Sequence, residues 1–232
     1  MASPVCCSAK LPAATRCLFT SFILSFLLIA QPVQANGHQG DSTQMSDFAR
    51  AVQAVRDKDY QQALNLFERE AEKIEFEAMY NLAVLLKAGK GRPQNYTDAL
   101  YWAYLAQLGG IERARDIIDD LTDILDETLR APILKRVEQQ LLGRINTGDF
   151  EAIPQYAVYF TTLLEEPDYA KAYQWYAIAA ALGLPDMIEL RDEMEAELET
   201  KDIPAFQAKS GELFTKLMNG QAITIEEKAD EN

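Results

Sequence analysis

Histidine is almost missing from this 232-residue chain, with His38 the single copy. Cysteine is scarce, and Cys6, Cys7 and Cys17 all lie near the N-terminus. A zinc site, which draws on clustered Cys and His, has no ligand set here. Positive charge is in deficit, 22 Lys and Arg against 36 Asp and Glu, for a formal charge of −14. Such a balance argues against unassisted binding to nucleic acid, whose phosphates need a basic surface. The sequence contains no G-x-S-x-G, H-E-x-x-H, P-loop or dinucleotide fingerprint. Alternating apolar and polar runs long enough for a strand are lacking too. What is present is an apolar share of 48%, enough for one medium domain or two small ones with a real core.

The first residues read as an address. Lys10 and Arg16 precede an apolar run from Cys17 to Ala30, too short to span a bilayer comfortably, which takes about 20 residues. Val33-Gln34-Ala35 then offers a small-x-small cleavage pattern. Residues 1–35 are expected to be a secretory signal peptide cut after Ala35, with a signal anchor as the alternative. The protein is then periplasmic or secreted, with no membrane span after cleavage. All three cysteines leave with the signal, so the mature chain has no thiol and owes its stability to packing. Lys10 and Arg16 leave as well, which takes the charge from −14 to −16. Residues 36–46, which hold His38, read as a flexible linker, and 220–232 as an acidic disordered tail.

Between them the chain repeats itself. The segments starting at Asp59, Asn95 and Asp168 align, with Ala63, Ala99 and Ala172 spaced by 36 and 73 residues. Tyr60, Tyr96 and Tyr169 keep the same spacing, Trp102 matches Trp175, and Gly110 matches Gly183. Residues 95–130 and 168–203 register without a gap. Apolar residues recur at helical intervals, as in Ile117, Ile118, Leu121 and Leu125. Asp59, Asn95 and Asp168 stand where N-caps belong, and Gly110 and Gly183 where left-handed residues close helices. Further helical stretches, 75–88 and 150–164, precede the later copies, with Pro154 in the first turn of the second. Pro132 and Pro204 predict a break or kink late in each unit. The fold class is all-α, an α-α superhelix of stacked helix-turn-helix units over 47–219.

The residues Ala78, Tyr80-Asn81-Leu82-Ala83 and Gly89-Lys90-Gly91, followed by Asn95-Tyr96, Ala99, Trp102, Ala106, Gly110 and Ala114, resemble a Sel1-like repeat, a relative of the tetratricopeptide repeat. Asp57-Lys58-Asp59-Tyr60 and Ala63-Leu64 look closer to the tetratricopeptide form itself. Two departures stand out: Ile74 occupies a glycine position, and Glu165-Glu166-Pro167 replaces the Gly89–Gly91 loop. The resemblance implies a protein-binding scaffold or adaptor, with no cofactor and no bond chemistry. It also implies that the first helix of each pair lines a concave face. That places Tyr80, Asn81, Val84 and Lys87 there, with Tyr156 and Phe160 from the later unit. The alternative for Tyr156 and Phe160 is packing against the adjacent helix, as aromatics usually do. Trp102 and Trp175 share one place in the repeat and read as packing between helices.

Asp116, Asp119, Asp120 and Asp123 fall near one helical face, which reads as solvated and not as a calcium loop. The charge favours a basic protein or peptide as partner through long-range steering. Asn95-Tyr96-Thr97 fits a glycosylation pattern, yet the capping role explains the asparagine sufficiently. The alternative function is a cell-envelope hydrolase built on paired carboxylates. Some disulfide-rich Sel1-like proteins bind or hydrolyse cell-wall ligands, but the mature chain lacks their cysteines. A passive, oligomerising acidic protein is a third reading.

Overall fold

The computed structural model describes residues 45–225. The expected signal, most of the expected linker, and residues 226–232 of the expected tail lie outside the described residues. Ten helices fill that span: α1 (Asp47–Arg56), α2 (Tyr60–Glu72), α3 (Phe76–Ala88), α4 (Tyr96–Leu108), α5 (Ala114–Thr122), α6 (Glu127–Asn146), α7 (Ala152–Thr162), α8 (Tyr169–Ala181), α9 (Met187–Ala196) and α10 (Ile203–Met218). No strand occurs among the described residues. The described residues form an all-helical array in which consecutive helices from α1 to α5 and from α6 to α9 pack on one another, while α6 also packs on α4 and α10 packs on α8. Such nearest-neighbour stacking is the pattern of an α-α solenoid.

Local chemistry sets the helix ends. Oδ1 of Asp59, Asn95 and Asp168 accepts from the backbone N–H three residues on, at 3.1, 3.1 and 2.9 Å. Each such cap satisfies an N–H that the first turn leaves without a helical partner, contributing about 1 kcal/mol. Asn95 also donates through Nδ2 to Asp98 at 2.7 Å and accepts from Thr97 Oγ1 at 2.8 Å, so its amide is engaged on both sides. At the other end Gly110 and Gly183 both adopt positive φ, +87° and +77°. Ile111 N–H and Leu184 N–H then bond back to Ala106 and Ala179 carbonyls. Ile74 takes the same left-handed conformation, φ +66°, although it is not glycine. Glu75 N–H bonds back to Glu70 as the motif requires.

The core follows the alanine–aromatic pattern. Ala63, Ala99 and Ala172 are fully buried, as are Ala83, Ala106 and Ala179. Small residues there let helices approach closely while Phe67, Leu100, Tyr104, Tyr159 and Trp175 fill the space between them. Trp175 is buried, and Trp102 is half-buried against the Tyr101 ring at 5.0 Å. The expected break at Pro132 does not occur, since α6 runs through it for 20 residues. Pro132 lies on the exposed side of the helix, where the carbonyl it leaves unpaired can face water. Pro204 and Pro154 both sit in first turns, where a missing N–H costs nothing.

The start of the expected tail is a second correction. Residues 221–225 have no helix but pack back onto the array, with Ile223 buried. Asn146 at the end of α6 holds the Ile223 backbone at both its N–H and its carbonyl.

Candidate partner-binding face

Helices α3 and α5 lie side by side and parallel. Glu77, at the start of α3, pairs with Arg113 just before α5, and Lys87, at the end of α3, pairs with Asp120 late in α5. The Arg113 guanidinium also stands over the Tyr80 ring, 4.4 Å from its centroid. Between these two ion pairs lies the outward stripe of α3. Val84 is 37% exposed, while Tyr80, Asn81 and Lys87 are half-buried. Asn81 is turned onto its own helix, with Nδ2 donating to the Glu77 carbonyl at 2.7 Å. Lys87 is further tied by Gln94, whose Nε2 bonds the Lys87 carbonyl at 2.6 Å.

Asp116, Asp119, Asp120 and Asp123 are all exposed, and Ile124 follows them at 57% exposure. The opposite side of α5 buries Ile117, Ile118 and Leu121. Three- and four-residue steps therefore sort this helix into an apolar side and an acidic one. Among the described residues no group of acidic, His or Cys side chains is placed to hold a metal ion.

Tyr156 and Phe160 do not join this stripe. Both are buried, their rings 4.8 Å apart, and Tyr156 lies 4.8 Å from Trp175. The reason is register. With Phe76-Glu77-Ala78 set against Phe150-Glu151-Ala152, Tyr156 falls at the place of Leu82 and Phe160 at that of Leu86, both core positions. The places of Tyr80, Asn81, Val84 and Lys87 belong instead to Pro154, Gln155, Val158 and Thr161, all half-buried. The Tyr156 hydroxyl donates to Glu138 of α6 at 2.7 Å. Four other tyrosines, Tyr101, Tyr104, Tyr159 and Tyr176, have their hydroxyl pKa pushed up by burial. The negative charge of Glu138 adds to the effect at Tyr159, and Arg136 opposes it at Tyr101.

Residues 56–73, 76–106 and 162–184 match the family model of the Sel1 repeat. These three segments are Sel1 repeats. They cover α2, α3 with most of α4, and the turn into α8 with that helix. The Gly89–Gly91 loop of the second repeat closes onto α2. Gly91, at φ +83°, leaves so little room that a Cβ would lie 2.5 Å from the Tyr60 carbonyl oxygen. Arg92 in the same loop forms a two-pronged pair with Glu68. Among solved structures, a protective antigen present in uropathogenic Escherichia coli strains, displaying an SLR fold, is similar over 80% of this chain. The identity is 17% and the TM-score 0.34, and the match takes in 34% of that protein, about a third of its length. No curated protein matches the chain. The signal that Tyr156 and Phe160 are core residues was available in the Phe-Glu-Ala match ahead of them. The role of Asn146 had no counterpart in any repeat.

Proposed function

We propose that the chain is an exported scaffold that holds a protein or peptide partner against the α3–α5 side of its repeats, without performing bond chemistry. Proteins built from Sel1 repeats generally mediate protein–protein interaction and serve as non-enzymatic scaffolds. The observation that carries the reading is the stripe between the two ion pairs: exposed Val84 beside the exposed acidic side of α5, with exposed Ile124 in the turn that follows it. Apolar side chains set among carboxylates suit a partner with a hydrophobic anchor and a basic rim. Tyr80, Asn81, Val84 and Lys87 are the contact residues on α3. The sequence features of 1–35 support a periplasmic or secreted location. The carboxylates of α5 stand along an open helix face, which makes paired catalytic carboxylates the weaker reading.

A photo-crosslinking residue at Val84, in the full chain expressed in its own cells, tests this. The expected result is one dominant adduct, reduced by high salt and by replacing Asp116, Asp119 and Asp123 with Asn. A crosslinking pattern no different from that of a probe on an unrelated exposed site, such as Gln61, would overturn it.

A further inference from the structure

Residues 221–225 contact the array in the manner of a bound peptide. They form no helix, and their one buried side chain, Ile223 at 7% exposure, shares a cavity with Tyr156, Phe160, Trp175 and Leu213. Asn146 grips the same residue through its main chain, with Oδ1 accepting from Ile223 N–H and Nδ2 donating to Ile223 C=O, both at 2.9 Å. A carboxamide bonded to both the N–H and the C=O of one residue recognises backbone, whatever the side chain. Selectivity then falls to the cavity, where Glu138, Lys171 and Lys209 line the wall together with the aromatic rings and Leu213. Beside it an open groove of about 670 Å³ lies between α6, at Leu142, Gln139 and Lys135, and residues 223–225, which form its other wall. Gly143 lies in its wall, and a Cβ there would meet nothing within 4 Å.

We propose that the seat of Ile223, together with the open groove beside it, is a second binding site, for an extended peptide of a partner protein with a branched aliphatic anchor, and that residues 221–225 occupy the seat in cis as a self-ligand. The pattern Ala222-Ile223-Thr224-Ile225 is the template for what it takes: a β-branched anchor, small or hydroxylated neighbours, and a backbone free to pair with Asn146. The segment follows α10 directly, so it competes as though present at about millimolar concentration, and a free peptide must displace it. A strap closed nine-tenths of the time lowers the apparent affinity about tenfold. The site is formed by α6, α7, α8 and α10, away from the α3–α5 stripe, and stands or falls independently of the scaffold reading.

The test is fluorescence anisotropy with a labelled peptide of residues 219–225 on the full chain. Ile223→Asp, which releases the strap, should bind this probe about tenfold tighter than the unaltered chain. Adding Asn146→Ala or Gly143→Trp to Ile223→Asp should abolish the gain. Equal binding by Ile223→Asp and the unaltered chain, with helical circular dichroism intact, overturns the proposal. Should Ile223→Asp fail to fold, hydrogen exchange on the unaltered chain decides. The Ile223 amide must exchange through a local opening well before the amides of α6 and α8. Exchange only on global unfolding would make the segment ordinary core and overturn the proposal. A concentration-dependent dimer joined through residues 221–225 would also overturn it, by placing the segment in a second copy.

Discussion

Gly109 and Phe76 meet at a corner with no room for a methyl group. A Cβ on Gly109 would lie 2.0 Å from the Phe76 ring. Phe76 opens α3 and Gly109 caps the end of α4, so this contact seats the two helices of one repeat against each other. Gly109→Ala should destabilise by about 1–3 kcal/mol through overpacking, seen as a lower midpoint in urea. Gly143→Ala provides the contrast. It lies inside α6 with open space around it, and should stabilise by about 0.5–1 kcal/mol through helix propensity alone.

The aromatic cluster of α7 and α8 predicts a graded series. Trp175→Ala removes a buried ring against Tyr156 and should cost about 3–5 kcal/mol in thermal or urea unfolding. Tyr156→Phe keeps the ring and loses the hydroxyl's hydrogen bond to Glu138, so about 1 kcal/mol is expected. Equal effects would mean that the hydroxyl, not the packing, dominates.

Helix existence, capping and repeat phase were legible because each has a local cause. Asp59, Asn95 and Asp168 cap through side chains one turn away, and Gly110 and Gly183 close helices through their own backbone freedom. Burial in the later copies was less legible, because it depends on what lies across the helix. Leu121 of α5 is buried, while its registered counterpart Met194 of α9 is only half-buried, and α9 buries no residue fully. Tyr156 and Phe160 were misplaced by reading aromatics as a surface row, when alignment through Phe150 puts them at core leucine positions. The docking of Ile223 on Asn146 spans 77 residues, and no periodic signal announces a contact of that range.

Alkaline pH should unfold the array cooperatively. Burial raises the pKa of Tyr101, Tyr104, Tyr159 and Tyr176 above the ordinary value near 10. A raised folded-state pKa means that the folded protein holds its proton where the unfolded chain has lost it. Stability from these groups is therefore fully present below pH ~10 and is lost as pH rises beyond it. Part of the tyrosinate absorbance should appear together with the loss of helical circular dichroism. Replacing Tyr159 with Phe should shift that transition to higher pH. If all tyrosines ionise before any helix is lost, burial does not restrain them.

Lys58 is an exposed residue in the left-handed conformation, φ +65°, at the turn between α1 and α2. A side chain there costs about 1–2 kcal/mol that glycine avoids, and part of that gain is offset by the greater freedom of glycine in the unfolded chain. Lys58→Gly should raise the unfolding midpoint by an amount equivalent to about 0.5–1 kcal/mol. Lys58→Val, β-branched at the same φ, should lower it.

Arg113 joins α5 to α3 by two contacts of different kinds, the ion pair with Glu77 and the stack over Tyr80. Both Arg113 and Glu77 are more than a third exposed, so solvent screening holds their pairing to roughly 0.2–1 kcal/mol. The stack is worth a similar amount, about 0.5–1 kcal/mol at an exposed site. Salt separates them. A double-mutant cycle of Arg113→Ala with Glu77→Gln should show a coupling that shrinks as ionic strength rises. The cycle with Tyr80→Leu should keep most of its coupling, because ring contact excludes ions from the short gap. Arg113→Lys should retain the first coupling and weaken the second, since an ammonium lacks the planar face that stacks on the ring. If the α3–α5 stripe is the partner face, Arg113→Ala should also alter crosslinking at Val84 under conditions where helical circular dichroism shows the chain still folded, because Arg113 covers Tyr80, one turn from Val84 on α3.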